Sequence, residues 1–366
     1  MKVVIVGAGI MGLATAWALI RRGHDVTVFE QGPAPNPLGG SVDRHRIIRH
    51  AYGAEAGYTA MIDPAFAAWE RLWADLGERL YVETGVLAIA RDPAGWAETS
   101  KKTMLAAGVA LRGFSGVEAA ARFPLLLGNG IASAHLTATG GVLLADRIVA
   151  ALVRMLGDVV KSGQAVRAVD SDRGQVTLAS GASVVADQVV VAAGPWVARL
   201  LPSMGPRVTP SRQVVVYADP PAHLAAAWRA MPVVLDLDLT SGFYLIPPVR
   251  GFPLKLGDHR FSLTGDPDRD RDATADDTAA ILAVCRVRLR EFGRFAIGEA
   301  HTCFYDVEPQ ERFIVERVGK RGWVMSGFSG HGFKFGALLG ETLAAAIVGE
   351  RDSAAVACYA AGRGGP

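Results

Sequence analysis

Val3-Val4-Ile5-Val6-Gly7-Ala8-Gly9-Ile10-Met11-Gly12 opens the chain with a wholly apolar run that breaks into a glycine-rich turn. Four consecutive apolar residues suit a strand buried on both faces, and apolar residues then recur at helical spacing as far as Ile20. Gly23 stops that helix, and Asp25-Val26-Thr27-Val28-Phe29-Glu30 reads as a second strand ending in an acid. Strand, helix and strand together take about thirty residues, the size of a dinucleotide-binding unit. Gly7 permits the tight turn, Gly9 lets backbone amides approach a pyrophosphate, and Gly12 allows the helix to pack closely on the sheet. The helix N-terminus presents partial positive charge to phosphate. Glu30, 18 residues after Gly12, is spaced to accept hydrogen bonds from a ribose. This fingerprint leaves open whether the dinucleotide is FAD or NAD.

Beyond this unit, residues 31–40 hold three prolines and three glycines and read as a loop, followed by the Arg/His-rich segment 44–50. A tryptophan-containing helix is expected over about 58–76, and a mixed stretch of strands and helices between about 80 and 145. A helix over 145–156 precedes strands over 165–178 and 184–191, which lead into Ala192-Ala193-Gly194-Pro195-Trp196. That Gly-Pro turn, with Gly194 and Trp196, either closes over an adenosine from the far side or is an ordinary strand end. Strands rich in Val, Tyr and Leu dominate 212–257 and suggest a second sheet. An amphipathic helix is expected over 274–292, and the charged run 266–272 before it reads as a solvated loop. A last strand near Trp323-Val324-Met325 runs into Gly327-Phe328-Ser329-Gly330-His331-Gly332-Phe333-Lys334-Phe335 and a helix over about 336–348. Gly327, Gly330 and Gly332 would let backbone amides reach a ligand, with the helix start behind them.

Composition excludes several classes of function. The chain has 366 residues, enough for about two domains at roughly 150 residues each. Its 38 basic and 36 acidic residues give a net charge of +2, without the concentrated positive charge that nucleic acid or an anionic membrane surface requires. Three cysteines, Cys285, Cys303 and Cys358, lie far apart and form no C-x-x-C pair, which argues against a disulfide framework or thiolate zinc site. The eight histidines show no ligand spacing with acids or cysteines, so no metal is expected. The first apolar run is too short for a signal-peptide core, and no apolar stretch reaches the ~18 residues of a membrane span. A soluble cytoplasmic protein, monomeric or a small homo-oligomer, is the expectation.

The N-terminal fingerprint, Arg46-Ile47-Ile48-Arg49-His50-Ala51-Tyr52-Gly53, Lys255-Leu256-Gly257-Asp258-His259, Cys303-Phe304-Tyr305 and the 327–335 cluster occur in one chain, in that order. In this it resembles the monomeric sarcosine oxidase and N-methyltryptophan oxidase family of the D-amino-acid-oxidase-like flavoproteins, from residue 2 to about 350. The resemblance implies an α/β architecture. A Rossmann-like FAD-binding domain would be assembled from residues 1–80, 145–210 and 300–366, and an α+β substrate domain on a mixed or antiparallel sheet from 81–144 and 211–299. It implies FAD as cofactor, covalently attached through Cys303; on its own, a free cysteine is as readily a buried small hydrophobe. Arg49 and Lys334 match the pair that holds the substrate carboxylate, a planar fork and a point charge suited to one anion. Lys255 matches the lysine that promotes reaction with oxygen, His259 an active-site histidine, and Arg46 a basic residue packed by the flavin. Tyr305 either lines the substrate pocket or belongs to the core.

The implied reaction is oxidation of a secondary-amine amino acid with a free carboxylate to an imine, O2 being reduced to hydrogen peroxide. The alternatives are an imino-acid dehydrogenase of the proline or pipecolate type using another electron acceptor, and a non-catalytic flavoprotein subunit. The sequence departs from the family pattern at Val42-Asp43-Arg44, at His45 in place of a small hydroxyl residue, at Phe243 in place of a pocket tyrosine and at Asp258 in place of an aromatic. Asp306 and Glu308 add acid after the cysteine strand, which suggests a substrate carrying extra positive charge.

Overall fold

The computed structural model describes residues 1–237, 242–258 and 260–364. The opening apolar run forms the strand Lys2–Val6, with Val3, Val4 and Ile5 fully buried. It lies inside a six-stranded sheet ordered Ile314–Val318, Gly322–Ser326, Gln188–Val191, Lys2–Val6, Asp25–Phe29, Val160–Lys161. All neighbours are parallel except the hairpin of the first two. Parallel strands are covered on both faces, which explains why 3–6 and 189–191 are apolar without alternation.

Two helices cover this sheet at close quarters. Ile10–Ile20 crosses Gly336–Ile347 where a Cβ on Gly340 would lie 2.6 Å from the Ala14 carbonyl carbon, and one on Gly336 would lie 2.5 Å from Ile10 Cγ1. The two glycines therefore set the approach of the helices. That crossing carries the 327–335 turn, immediately before the second helix, alongside the 7–12 turn that opens the first. The helix Ala145–Leu156 packs on Ile10–Ile20 as well.

An eight-stranded sheet runs Ala296–Val307, Thr209–Asp219, Leu254–Asp258, Phe243–Ile246, Val233–Asp236, Val86–Ala90, Ser133–Thr137, Arg112–Ser115. Its neighbours are antiparallel apart from Val233–Asp236 beside Val86–Ala90, so the sheet is mixed, as expected. One face holds a core that includes Leu254, Leu256, Val216 and Ala218, with Ile281 and Cys285 of the helix Ala275–Arg288. Side chains alternate across a strand, so Lys255, between Leu254 and Leu256, points to the opposite face. The strand Ala296–Val307 lies wholly in this sheet, and the chain rejoins the six-stranded sheet only at Ile314. Among the described residues no helix is long and apolar enough to cross a membrane.

Packing at the helix crossing is the feature most exposed to a single substitution. Gly340→Leu is expected to cost about 1–3 kcal/mol through overpacking, seen as a lower thermal midpoint. Gly293→Ala, where a Cβ meets nothing within 4 Å, should stay within about 0.5 kcal/mol of the parent.

Candidate active site

Two cavities meet between the sheets. The larger, about 380 Å³, is lined by Gly7 to Met11, Glu30, Ser41, Gly194 to Trp196 and Phe328 to Phe333 in part. The smaller, about 80 Å³, is lined by Asp43, Arg49, Tyr244, Lys255, Asp258, Cys303 and Lys334 among others. Arg46, Tyr305, Gly330 and Phe333 line both and form the passage between them.

The larger cavity is shaped by backbone. Gly7 has φ +108°, and a Cβ on it would lie 2.4 Å from the Ala192 carbonyl oxygen. Gly12 reaches neither cavity; a Cβ there would lie 2.0 Å from Gly7 O, so it is the packing glycine that the sequence predicts. Gly9 caps the helix in an extended conformation, and the Ile10 N–H donates to Ser41 Oγ at 2.9 Å. Glu30 is buried; its carboxylate accepts from Ala8 N at 2.8 Å, Asn36 Nδ2 at 2.8 Å and Gly32 N at 3.1 Å. A carboxylate has about four acceptor positions, which leaves one for a ligand hydroxyl. Gly330 has φ +76° and sits where a Cβ would enter the Tyr305 ring, and a Cβ on Gly332 would lie 2.7 Å from Phe328 Cβ. Gly327 lies behind the cavity, its N–H donating to Asp306 Oδ2 at 2.7 Å.

Asp306 is thereby accounted for. The same oxygen accepts from Ser326 Oγ at 2.8 Å, so the acid anchors the glycine turn. Glu308 accepts from the N–H groups of Gln310 and Arg312. Neither lines the smaller chamber, and the expectation that they select a substrate with extra positive charge is withdrawn. The charged run 266–272 is likewise no free loop: Asp268 accepts from Trp196 Nε1 at 2.8 Å and pairs with Arg199, which also binds Asp266 at 2.9 Å. It straps Trp196 at the rim of the larger cavity.

The smaller chamber is crowded with cations. Arg49 and Lys334 are both buried and lie against the Tyr52 ring, at 4.5 and 5.4 Å from its centroid. Arg49 Nη1 is buried without a hydrogen-bond partner. Lys334 Nζ donates to the His331 carbonyl at 2.7 Å. Burial, and then repulsion from Arg49, hold the Lys334 ammonium well below the ordinary lysine range. Lys255 and Arg46 both donate to Asp43 Oδ2, and Arg46 also donates to Gly40 O at 3.0 Å. Asp258 lines the chamber with its pKa raised by burial, against the lowering influence of Arg260. Pairing these acids with their neighbours leaves Arg49 and Lys334 close together with no carboxylate bonded to either among the described residues; the charge of Glu311 acts on Arg49 and partly offsets its burial.

Cys303 lies in the strand Ala296–Val307, opposite Gln213, and its thiol faces the chamber with its pKa raised by burial, against the lowering pull of Arg46. Tyr305 lines both cavities. His259 lies outside the described residues. Phe243 is fully buried in the core on the far face of its strand, whereas its neighbour Tyr244 lines the chamber. The pocket aromatic is therefore Tyr244, which the two-residue alternation of the strand would have indicated. Asp43 was noted only as a departure from pattern; its place beside Lys255 depends on a contact between distant segments that no local signal carries.

The sequence matches the FAD dependent oxidoreductase family over residues 2–346. The chain is a member of that family. It is 29% identical over 352 residues to peroxisomal sarcosine oxidase of Mus musculus, covering 93% of this chain and 90% of that one. It is 28% identical over 353 residues to N-methyl-L-tryptophan oxidase of Yersinia pestis, covering 93% of each. Among solved structures, the fold is shared with L-proline dehydrogenase from P. horikoshii, at TM-score 0.83 and 19% identity over 98% of this chain and 96% of that one. It is shared also with NikD, an unusual amino acid oxidase essential for nikkomycin biosynthesis, at TM-score 0.80 and 21% identity over 96% and 94%. The residues of this oxidoreductase fit FAD. The glycine turns admit no side chain, Glu30 keeps an acceptor position free, and the larger cavity lies within the usual ligand-pocket range of about 300–1,000 Å³.

The depressed Lys334 pKa gives a signed prediction. A carboxylate seated between Arg49 and Lys334 would lose one cationic partner when the lysine deprotonates, so affinity of the FAD-loaded enzyme for a simple carboxylate should fall as pH rises through a pKa below the ordinary lysine value. Lys334→Met is expected to weaken binding by about 10–100-fold, the worth of a charged hydrogen bond, and to abolish that pH dependence. Titration of the flavin absorbance with acetate across pH measures both.

Proposed function

We propose that this enzyme uses FAD to oxidise a small secondary-amine amino acid, of the N-methyl or related type, to an imine. The observation that carries the reading is the pair Arg49 and Lys334, neither bonded to a carboxylate among the described residues, in a buried chamber that opens past Tyr305 into the FAD cavity. Two neighbouring buried cations with no carboxylate bonded to either are costly, Glu311 offsetting the burial of Arg49 only in part, and one carboxylate would relieve both. A non-catalytic subunit would have no use for such a clamp. The sarcosine and N-methyl-L-tryptophan oxidases among the relatives support the substrate class. The small volume of the chamber favours a small side chain over an indole.

Bound FAD supplies a two-electron acceptor. Arg49 and Lys334 hold the carboxylate, so that the carbon next to nitrogen is presented at the passage between the cavities, an orientation effect that reduces the entropy cost of reaction. The closely packed walls of Tyr244, Tyr305 and Phe333 exclude water while the C–H and N–H bonds yield two electrons and two protons. Water then hydrolyses the imine released. In the same reading, the glycine turns at 7–12 and 327–335, Glu30 and the Gly194–Trp196 turn hold the cofactor. Cys303, whose thiol lines the chamber, would attach the cofactor covalently. His259 is carried over as a further active-site residue.

Oxygen is the acceptor that the family resemblance implies, with Lys255 as the cation that promotes its reduction. A second reading, in which electrons go to another carrier, is favoured by one observation: the Lys255 ammonium is paired with Asp43.

Anaerobic mixing of the yellow holoenzyme with a panel of N-methyl and cyclic amino acids tests the proposal. Bleaching by a small secondary amine is expected, and by its methyl ester only about 10–100-fold less effectively, the clamp being worth about 1.5–3 kcal/mol. Absence of bleaching by every member would refute it. Acid precipitation should leave the colour with the protein, and Cys303→Ala should release it to the supernatant.

A further inference from the structure

Asp43 is buried between the two sheets with every acceptor position occupied. Oδ1 accepts from the Arg44 N–H at 2.8 Å and from the Tyr217 hydroxyl, and Oδ2 from Lys255 Nζ and Arg46 Nη1. Four donors, two of them cationic, keep this carboxyl ionised in spite of its burial: burial raises its pKa, and Lys255 and Arg46 together pull it well below the usual carboxylate range. Lys255 has one other acceptor, the His45 carbonyl at 3.3 Å. The trio of Asp43, Lys255 and Arg46 thus brings one unit of positive charge to the chamber wall instead of two.

A buried ion pair is rarely retained for stability alone, since apolar residues of similar volume do as well or better. Here the pair has a chemical consequence. Reduction of O2 begins with transfer of one electron, which creates a full negative charge on oxygen; the second electron and two protons then complete hydrogen peroxide. A fixed, uncompensated cation in a dry site stabilises that first charge, and a cation already neutralised does so far less. We infer that Asp43 is a positioning residue that restrains the reaction with O2, by holding the Lys255 ammonium in a closed ion pair at the wall of the chamber. The inference rests on the reading of this chamber as the site where the reduced cofactor meets its acceptor.

The test separates the two claims by reducing the cofactor without substrate. Holoenzyme carrying Asp43→Ala or Asp43→Asn is photoreduced and mixed with oxygenated buffer over a series of falling pH, because burial and Arg46 lower the Lys255 pKa and the substitution removes the acid that raises it; the comparison is made at the low end, where the ammonium is most populated. The second-order rate constant for reoxidation is expected to rise at least tenfold over the parent, and adding Lys255→Met to either variant should remove the gain. The midpoint potential of the bound FAD, read by equilibration with a dye, should rise as well, since an added positive charge favours the reduced ring; a tenfold preference is about 30 mV for two electrons. An unchanged or lower rate constant in both variants, with no rise in potential, would overturn the inference. So would a pair of variants that no longer hold FAD, since Asp43 would then serve folding. Failure of every amine to reduce the parent enzyme would refute the substrate reading while leaving this measurement intact.

Discussion

Positive charge gathered in a largely buried chamber is the constraint around which this molecule is organised. Arg49, Lys255 and Lys334 are all buried, Arg46 nearly so, and each would be destabilised there without a partner. Asp43 satisfies two of the four. The remaining two sit against the Tyr52 ring, whose face offers a weak cation–π attraction, and Lys334 is biased towards losing its proton. A site in this condition binds an anion by relieving its own electrostatic cost. In the proposed reading, substrate recognition and the depressed lysine pKa are thus two aspects of one arrangement.

The fold supplies this chamber through two simple devices. One is alternation along the strands of the eight-stranded sheet, which sends Leu254 and Leu256 into a core under the helix Ala275–Arg288 and Lys255 into the chamber. The other is the crossing of the helices Ile10–Ile20 and Gly336–Ile347, close enough only because Gly336 and Gly340 lack side chains. It joins the first and last glycine turns of the chain into the walls of one cavity. Lys334, in the short turn before the second helix, is delivered to the clamp by the same crossing.

Much of this was legible in residues 3–30, where an uninterrupted apolar run, a glycine turn and a terminal acid impose a strand, helix and strand whatever the rest of the chain does. The 46–53 and 327–335 strings were legible for a different reason: they resemble a family, and no local propensity would place Arg49 beside Lys334. Phe243 shows the limit of reading by position, since a shift of one residue sends the side chain through the sheet and exchanges it with Tyr244. The charged run 266–272 looked like solvent-facing filler because its partners, Trp196 and Arg199, lie far away in sequence. Asp306 misled in the same way: an acid near a predicted site is chemically suggestive until its hydrogen bonds to Ser326 and Gly327 are known. Asp43 was visible as an anomaly and became intelligible only once Lys255 and Tyr217 were brought to it.

The central claim is that one carboxylate completes the Arg49 and Lys334 pair, and a crystal structure of the FAD-loaded enzyme with a small carboxylate such as acetate tests it most directly. The account predicts the anion within hydrogen-bond distance of both the Arg49 guanidinium and the Lys334 ammonium, with the latter turned from the His331 carbonyl towards it. A chamber that stays free of anion at saturating acetate, or an anion seated on Lys255 with Asp43 displaced, would contradict it.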